Sequence, residues 1–128
     1  MRLLLDTHIF IWYVTDNPKL SATTQTLIDE GDNDILLSIV SIWEIAIKQS
    51  AGKLSFALPF RVFIEQQLRE NSIELLNINL EHIEVVESLP FHHRDPFDRL
   101  IIAQAIVERI PLLSADSVFD AYPIQRLW

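Results

Sequence analysis

The sequence predicts an α/β fold, a single domain with a central, mainly parallel five-stranded sheet flanked by helices. Short apolar runs that stop at a polar residue have the pattern of strands covered on both faces. They alternate with stretches of helical spacing, the order that builds an open parallel sheet through right-handed crossovers. The 128 residues are 49% hydrophobic with only 2 glycines, which is enough apolar material for one core spanning 1–128 and leaves no linker or low-complexity stretch.

Arg2 to Leu5 is the first such run and ends at Asp6. The apolar opening from Met1 to Val14 reads as a buried strand rather than a leader, because Asp6 and His8 interrupt it and no small-residue cleavage site follows. After the turn Asp16-Asn17-Pro18, Ser21 is placed to cap a helix of about ten residues that ends at Gly31. Asp34 to Ser38 forms the second strand. From Ser41, the positions Ile42, Trp43, Ile45, Ala46 and Ile47 fit a largely buried helix closed by Gly52. Pro59 opens a helix to about Arg69 with Phe60, Phe63, Ile64 and Leu68 along one face.

Ile73 to Ile78 supplies the third strand. Leu80, Ile83, Val86 and Leu89 then recur at helical spacing until Pro90 interrupts them. Beyond the loop Phe91-His92-His93-Arg94-Asp95, Pro96 starts a helix to about Arg109 that buries Leu100, Ile101, Ala103, Ala105 and Ile106. Ile110 to Ser114 and Ile124 to Trp128 complete the sheet.

Eighteen acidic residues against ten basic ones leave a formal charge of −8, which argues against a protein that coats a polyanion by charge alone. Contact with phosphate needs an offset, and bound divalent cations supply one. The absence of cysteine excludes disulfides, thiolate zinc sites and Cys nucleophiles, and suits a reducing cytoplasm. No apolar stretch approaches the roughly 20 residues of a membrane span, so no membrane association is expected.

Ligand sites in open parallel sheets form outside the carboxyl ends of the strands. Asp6 ends the first strand there, and Asp116 lies two residues past the apolar part of the fourth. Glu44 sits among apolar neighbours, where a carboxylate is costly unless paired, protonated or metal-bound. Asp98 lies in the first turn after Pro96, three residues from Asp95. Oxygen-only ligands suit Mg²⁺ or Mn²⁺ better than zinc, and such ions activate water and stabilise a leaving oxygen in phosphodiester hydrolysis.

Each acid also has a plainer reading. Asp95 and Asp98 are both in helix-capping positions, and Asp116 alone would pass as a turn residue. His93, Arg94 and Arg99 either contact phosphate or belong to an ordinary solvated loop. His8, His82, His92 and His93 lack a zinc spacing. Trp12, Trp43 and Trp128 either stack on bases or pack in the core, with core packing favoured for the first two by their apolar neighbours.

Four blocks together resemble the PIN-domain family, in particular VapC-like ribonuclease toxins of type II toxin–antitoxin modules. They are Leu4-Leu5-Asp6-Thr7-His8, Ser41 to Lys48 with Gly52-Lys53-Leu54, His93 to Ala105, and Ser114-Ala115-Asp116. The resemblance implies that Asp6, Glu44, Asp98 and Asp116 hold catalytic Mg²⁺ or Mn²⁺. It also implies that Thr7 and Ser114 support the site, while Asp95 is a direct ligand, a supporting residue or a helix cap. It further implies cleavage of RNA, a cognate antitoxin whose C-terminal segment runs into the groove, and a homodimer. Two other readings compete. A catalytically silent binding module on the same fold would keep the core and lose an acidic ligand, whereas all the acids are present. A phosphoacceptor receiver-like domain needs an acidic pair after strand one and a late Lys, whereas no Lys follows Lys53.

Overall fold

A computed structural model describes residues 1–128. Five parallel strands, β1 (Arg2–Leu5), β2 (Asp34–Ser38), β3 (Ile73–Leu76), β4 (Leu112–Leu113) and β5 (Arg126–Leu127), lie in the order β3-β2-β1-β4-β5. The helices are α1 (Thr7–Val14), α2 (Ala22–Asp29), α3 (Ile39–Ser50), α4 (Phe60–Glu70), α5 (Leu80–Ser88) and α6 (Pro96–Glu108), with a 3-10 turn at Ser117–Ala121. The chain builds outward from β1 to β2 and β3, then crosses to β4 and β5 on the other side. The reversal therefore falls between β1 and β4, the place where open α/β sheets form their crevice.

Alternation along the strands divides the apolar side chains between two cores. Leu3, Leu5, Ile35 and Leu37 face a cluster with Ile9, Phe10, Ile45 and Phe63, while Leu4, Leu36 and Leu112 face one with Ile101, Ile102 and Phe119. Both faces are covered, as the uninterrupted apolar runs require. No helix is long and apolar enough to cross a membrane.

Several elements differ from the sequence expectation. The opening is a strand only to Leu5, and Thr7 to Val14 is helix α1, entered from extended backbone at Asp6. An unbroken apolar run carries no period by which strand and helix can be told apart. Helix α3 begins at Ile39, with the Ser38 hydroxyl accepting from the Val40 amide, so the cap is the last strand residue. In α5, Leu80 and Ile83 face solvent, and the buried residue is His82. Its Nδ1 accepts from the Asn79 amide and its Nε2 meets Glu108 at 3.1 Å, so a satisfied histidine displaces the leucine face. Strands β4 and β5 are two residues each, shorter than their apolar runs, and α2 stops at Asp29, ahead of Gly31.

Candidate active site

Asp6 carries the least usual helix start in the chain. It occupies the cap position of α1, yet its side chain makes no capping bond. Instead Oδ2 accepts from Ser114 Oγ at 2.8 Å, and Oδ1 is buried with no partner. Burial raises its pKa, against the Ser114 hydrogen bond, and the nearby Glu44 charge raises it further. Ser114 also accepts the Asp116 amide at 3.0 Å, so one hydroxyl ties the ends of β1 and β4 together.

Glu44 enters from α3, 6% exposed. Lys48, one turn on, reaches its Oε2 at 3.2 Å, while Oε1 is buried and unpaired. The helix is held beside β1 by Thr7, whose hydroxyl donates to Ser41 Oγ at 2.8 Å inside the protein. Thr7 thus ties α1 to α3.

Asp98 is presented by α6. Asp95 caps that helix, its Oδ1 accepting the Phe97 and Asp98 amides at 2.8 and 3.2 Å. Asp95 therefore serves as the helix cap, and its charge adds to the field at Asp98. Burial pushes the Asp98 carboxyl up to about 8, and the charges of Asp6, Asp95, Glu44 and Asp116 add to the shift. A carboxylate in this position is strongly disfavoured without a cation.

Asp116 heads the 3-10 turn, Oδ1 accepting from the Val118 amide. Its Oδ2 and the Oδ2 of Asp98 each lie 3.1 Å from Nε2 of His93. The Asp95 amide donates to His93 Nδ1 at 3.2 Å, so the ring proton sits on Nε2 and points at the two carboxylates. His93, Asp98 and Asp116 are grouped closely enough to share one metal ion.

Arg99 and Arg94 part company. The Arg99 guanidinium is buried and donates to the carbonyls of Pro90, His93, Val86 and Leu89, beneath the Phe91 ring. Its two terminal nitrogens are turned inward on these carbonyls, so it clamps the loop that carries His93. Arg94 is exposed and keeps the reading as a phosphate contact. Trp43, expected in the core, is 57% exposed and meets Phe97 edge-on at 4.9 Å.

The sequence reading gave no role to Lys48 or Ser41, and placed His93 with the loop rather than among the acids. Lys48 had a signal, the i, i+4 spacing to Glu44. Arg126 had none: it reaches Ser114 O and Asp120 from β5, a pairing set by the sheet.

Mg²⁺ or Mn²⁺ fits this donor set on structural grounds. Two buried carboxylate oxygens, Asp6 Oδ1 and Glu44 Oε1, lack any partner, and a hard cation is the ligand such atoms accept.

A family model described as PIN domain matches residues 3–125. The chain belongs to the PIN-domain family. Among relatives of this PIN domain, Ribonuclease VapC22 of Mycobacterium tuberculosis is 28% identical over 115 residues, covering 89% of this chain and 86% of the relative. Solved structures share the fold. VapBC2 from Rickettsia felis, bound to a DNA fragment from its promoter, aligns with a TM-score of 0.74 at 17% identity, covering 99% of this chain and 98% of the other. VapBC-5 from Mycobacterium tuberculosis, a member of a toxin–antitoxin family, aligns at 0.60 and 19% identity, covering 98% of both.

Proposed function

We propose that this PIN domain is a Mg²⁺- or Mn²⁺-dependent endoribonuclease, the toxin of a toxin–antitoxin pair, acting in the cytoplasm as a homodimer that a cognate antitoxin blocks. The observation that carries the catalytic reading is the pair of buried, unpartnered oxygens on Asp6 and Glu44, facing a site where Asp98 holds its proton up to about pH 8. A purely structural acid has both carboxylate oxygens hydrogen-bonded or exposed; here one oxygen of each is neither, while the other is held by Ser114 or Lys48. The antitoxin reading is supported by the VapBC complexes that share the fold.

Asp6, Glu44, Asp98 and Asp116 would hold the cation. Once bound, it would supply an activated water and charge stabilisation for the leaving oxygen. Ser114 orients Asp6, Asp95 fixes the first turn that presents Asp98, and Thr7 sets the separation of α1 from α3. Arg94 is the free cation beside the site for the RNA backbone.

The test is cleavage of a mixed RNA panel, structured and single-stranded, in Mg²⁺, Mn²⁺ and EDTA, by the native chain and by Asp6→Asn. Cutting that needs the metal and drops at least a hundredfold in the variant supports the proposal. Equal cutting by both proteins refutes the assignment. A silent binding module is the second reading, and it has its own observation: Lys48 already pairs with Glu44, and His93 with Asp98 and Asp116. Tight metal-independent RNA binding without cleavage would favour it.

A further inference from the structure

Only one cavity in the molecule is lined by any of the four site acids. It has a volume of about 300 Å³ and is walled by Asp6, His8, Trp12, Ala115 and Asp116, at the lower end of the roughly 300–1,000 Å³ span of small-ligand pockets. One wall is acidic and the other aromatic. His8 and Trp12 line the aromatic side, and Trp128 lies beyond that lining against Trp12. His8 and Trp12 are one turn apart on α1, their rings 5.9 Å apart. Trp128 follows β5, whose register beside β4 pairs Leu127 with Leu113, and its ring lies 6.1 Å from Trp12.

The rings are not hidden in the core. His8 is exposed, Trp12 is partly exposed, and Trp128 is 38% exposed. Arg126, two residues before Trp128, pins this end of β5 to the Ser114 carbonyl at 3.0 Å.

We propose that His8, Trp12 and Trp128 form a stacking subsite for one unpaired nucleobase, next to the phosphodiester that the carboxylates engage. This deepens the ribonuclease reading and rests on it for the position of the phosphate. The occupant follows from the two walls. A flat aromatic group matches the rings, and a phosphate reached through a cation matches Asp6 and Asp116; a nucleotide carries both. Stacking accepts any base, because each has a π face, but the base must be free of a duplex partner. The subsite therefore selects single-stranded or looped RNA without reading sequence.

The probe is a single-stranded oligonucleotide with 2′-O-methyl sugars, titrated in Mg²⁺ into a Trp43→Phe background, so that fluorescence reports Trp12 and Trp128 alone. Saturable quenching is expected, absent with the same sequence as a duplex. Trp128→Ala should weaken binding at least about fivefold, the lower end for one stacked base, and Trp128→Phe should restore most of it. His8→Ala, exposed and safe for folding, should weaken it less. Replacing one nucleotide with an abasic unit should cost the parent the same factor and cost Trp128→Ala nothing further. Unchanged fluorescence, or equal affinity of parent, Trp128→Ala and His8→Ala, overturns the subsite even if the parent cleaves RNA. Quenching with the expected losses but no metal-dependent cleavage supports the subsite and counts against the nuclease reading alone.

Discussion

Asp98→Asn should make the metal-free protein more stable while depriving it of its response to metal. The folded chain holds the Asp98 proton to about pH 8, whereas an unfolded Asp releases it near 3.8. Below about pH 4 both states are protonated and the group costs nothing. As pH rises toward 8, the unfolded state alone ionises, so stability falls through that window. The displacement corresponds to an upper limit of ~6 kcal/mol. The side chain is 18% exposed and is met by His93, so solvent and that hydrogen bond reduce the recovery to ~2–3 kcal/mol.

At ~4 °C per kcal/mol for a chain of this size, the variant in EDTA at pH 8 should melt roughly 10 °C above the parent, and the gap should shrink to about a third at pH 5. Saturating Mn²⁺ at pH 8 should largely close that gap. A hundredfold excess over Kd stabilises the parent by ~2.7 kcal/mol, and the variant, lacking one ligand, should gain under a quarter of that. The assay is thermal unfolding by circular dichroism at pH 5 and 8. A variant no more stable than the parent in EDTA at pH 8, or one with an equal Mn²⁺ response, would refute the reasoning.

Other perturbations separate the supporting roles. Ser114→Ala removes the donor to Asp6 Oδ2 and the acceptor of the Asp116 amide, so urea unfolding should show a loss of ~1–3 kcal/mol, accompanied by weaker Mn²⁺ binding. Arg99→Lys keeps the charge but cannot span four carbonyls in a planar fork; it should lose ~2 kcal/mol or more and raise protease sensitivity in the 90–95 loop. Thr7→Val cuts the tie to Ser41 and leaves its hydroxyl without a donor; a loss of ~1 kcal/mol by denaturant titration is expected, with a larger proportional drop in cleavage than in folding. Tyr13, pushed up to about 12 by burial and by its bond to Asp29, should ionise above the ordinary tyrosine range in an absorbance titration, and Asp29→Asn should bring it down.

The parts legible in the sequence are those where one residue type at one spacing has one physical outcome. Runs such as Asp34 to Ser38 declare a doubly covered strand, and Pro96 after Asp95 declares a helix start; both stand as expected. Asp6 and Glu44 were visible because charge amid apolar residues needs a reason. Helix α1 was not visible, since Thr7 to Val14 is apolar on nearly every side and has no period. The inward turn of His82 was hidden because its partner Glu108 lies 26 residues away. The same holds for His93, whose place between Asp98 and Asp116 depends on the sheet bringing the end of β4 to the start of α6. The burial of Arg99 was equally hidden, since its four carbonyl partners come from the end of α5 and the loop before α6.

Anomalous X-ray scattering from crystals soaked in Mn²⁺ tests whether Asp6, Glu44, Asp98 and Asp116 make one cation site. A strong manganese peak is expected in contact with Asp6 Oδ1 and Glu44 Oε1, the two buried carboxylate oxygens that have no partner within the chain, with Asp98 or Asp116 completing the ligation. No peak at saturating Mn²⁺, or a peak only at surface acids away from these four, would contradict it.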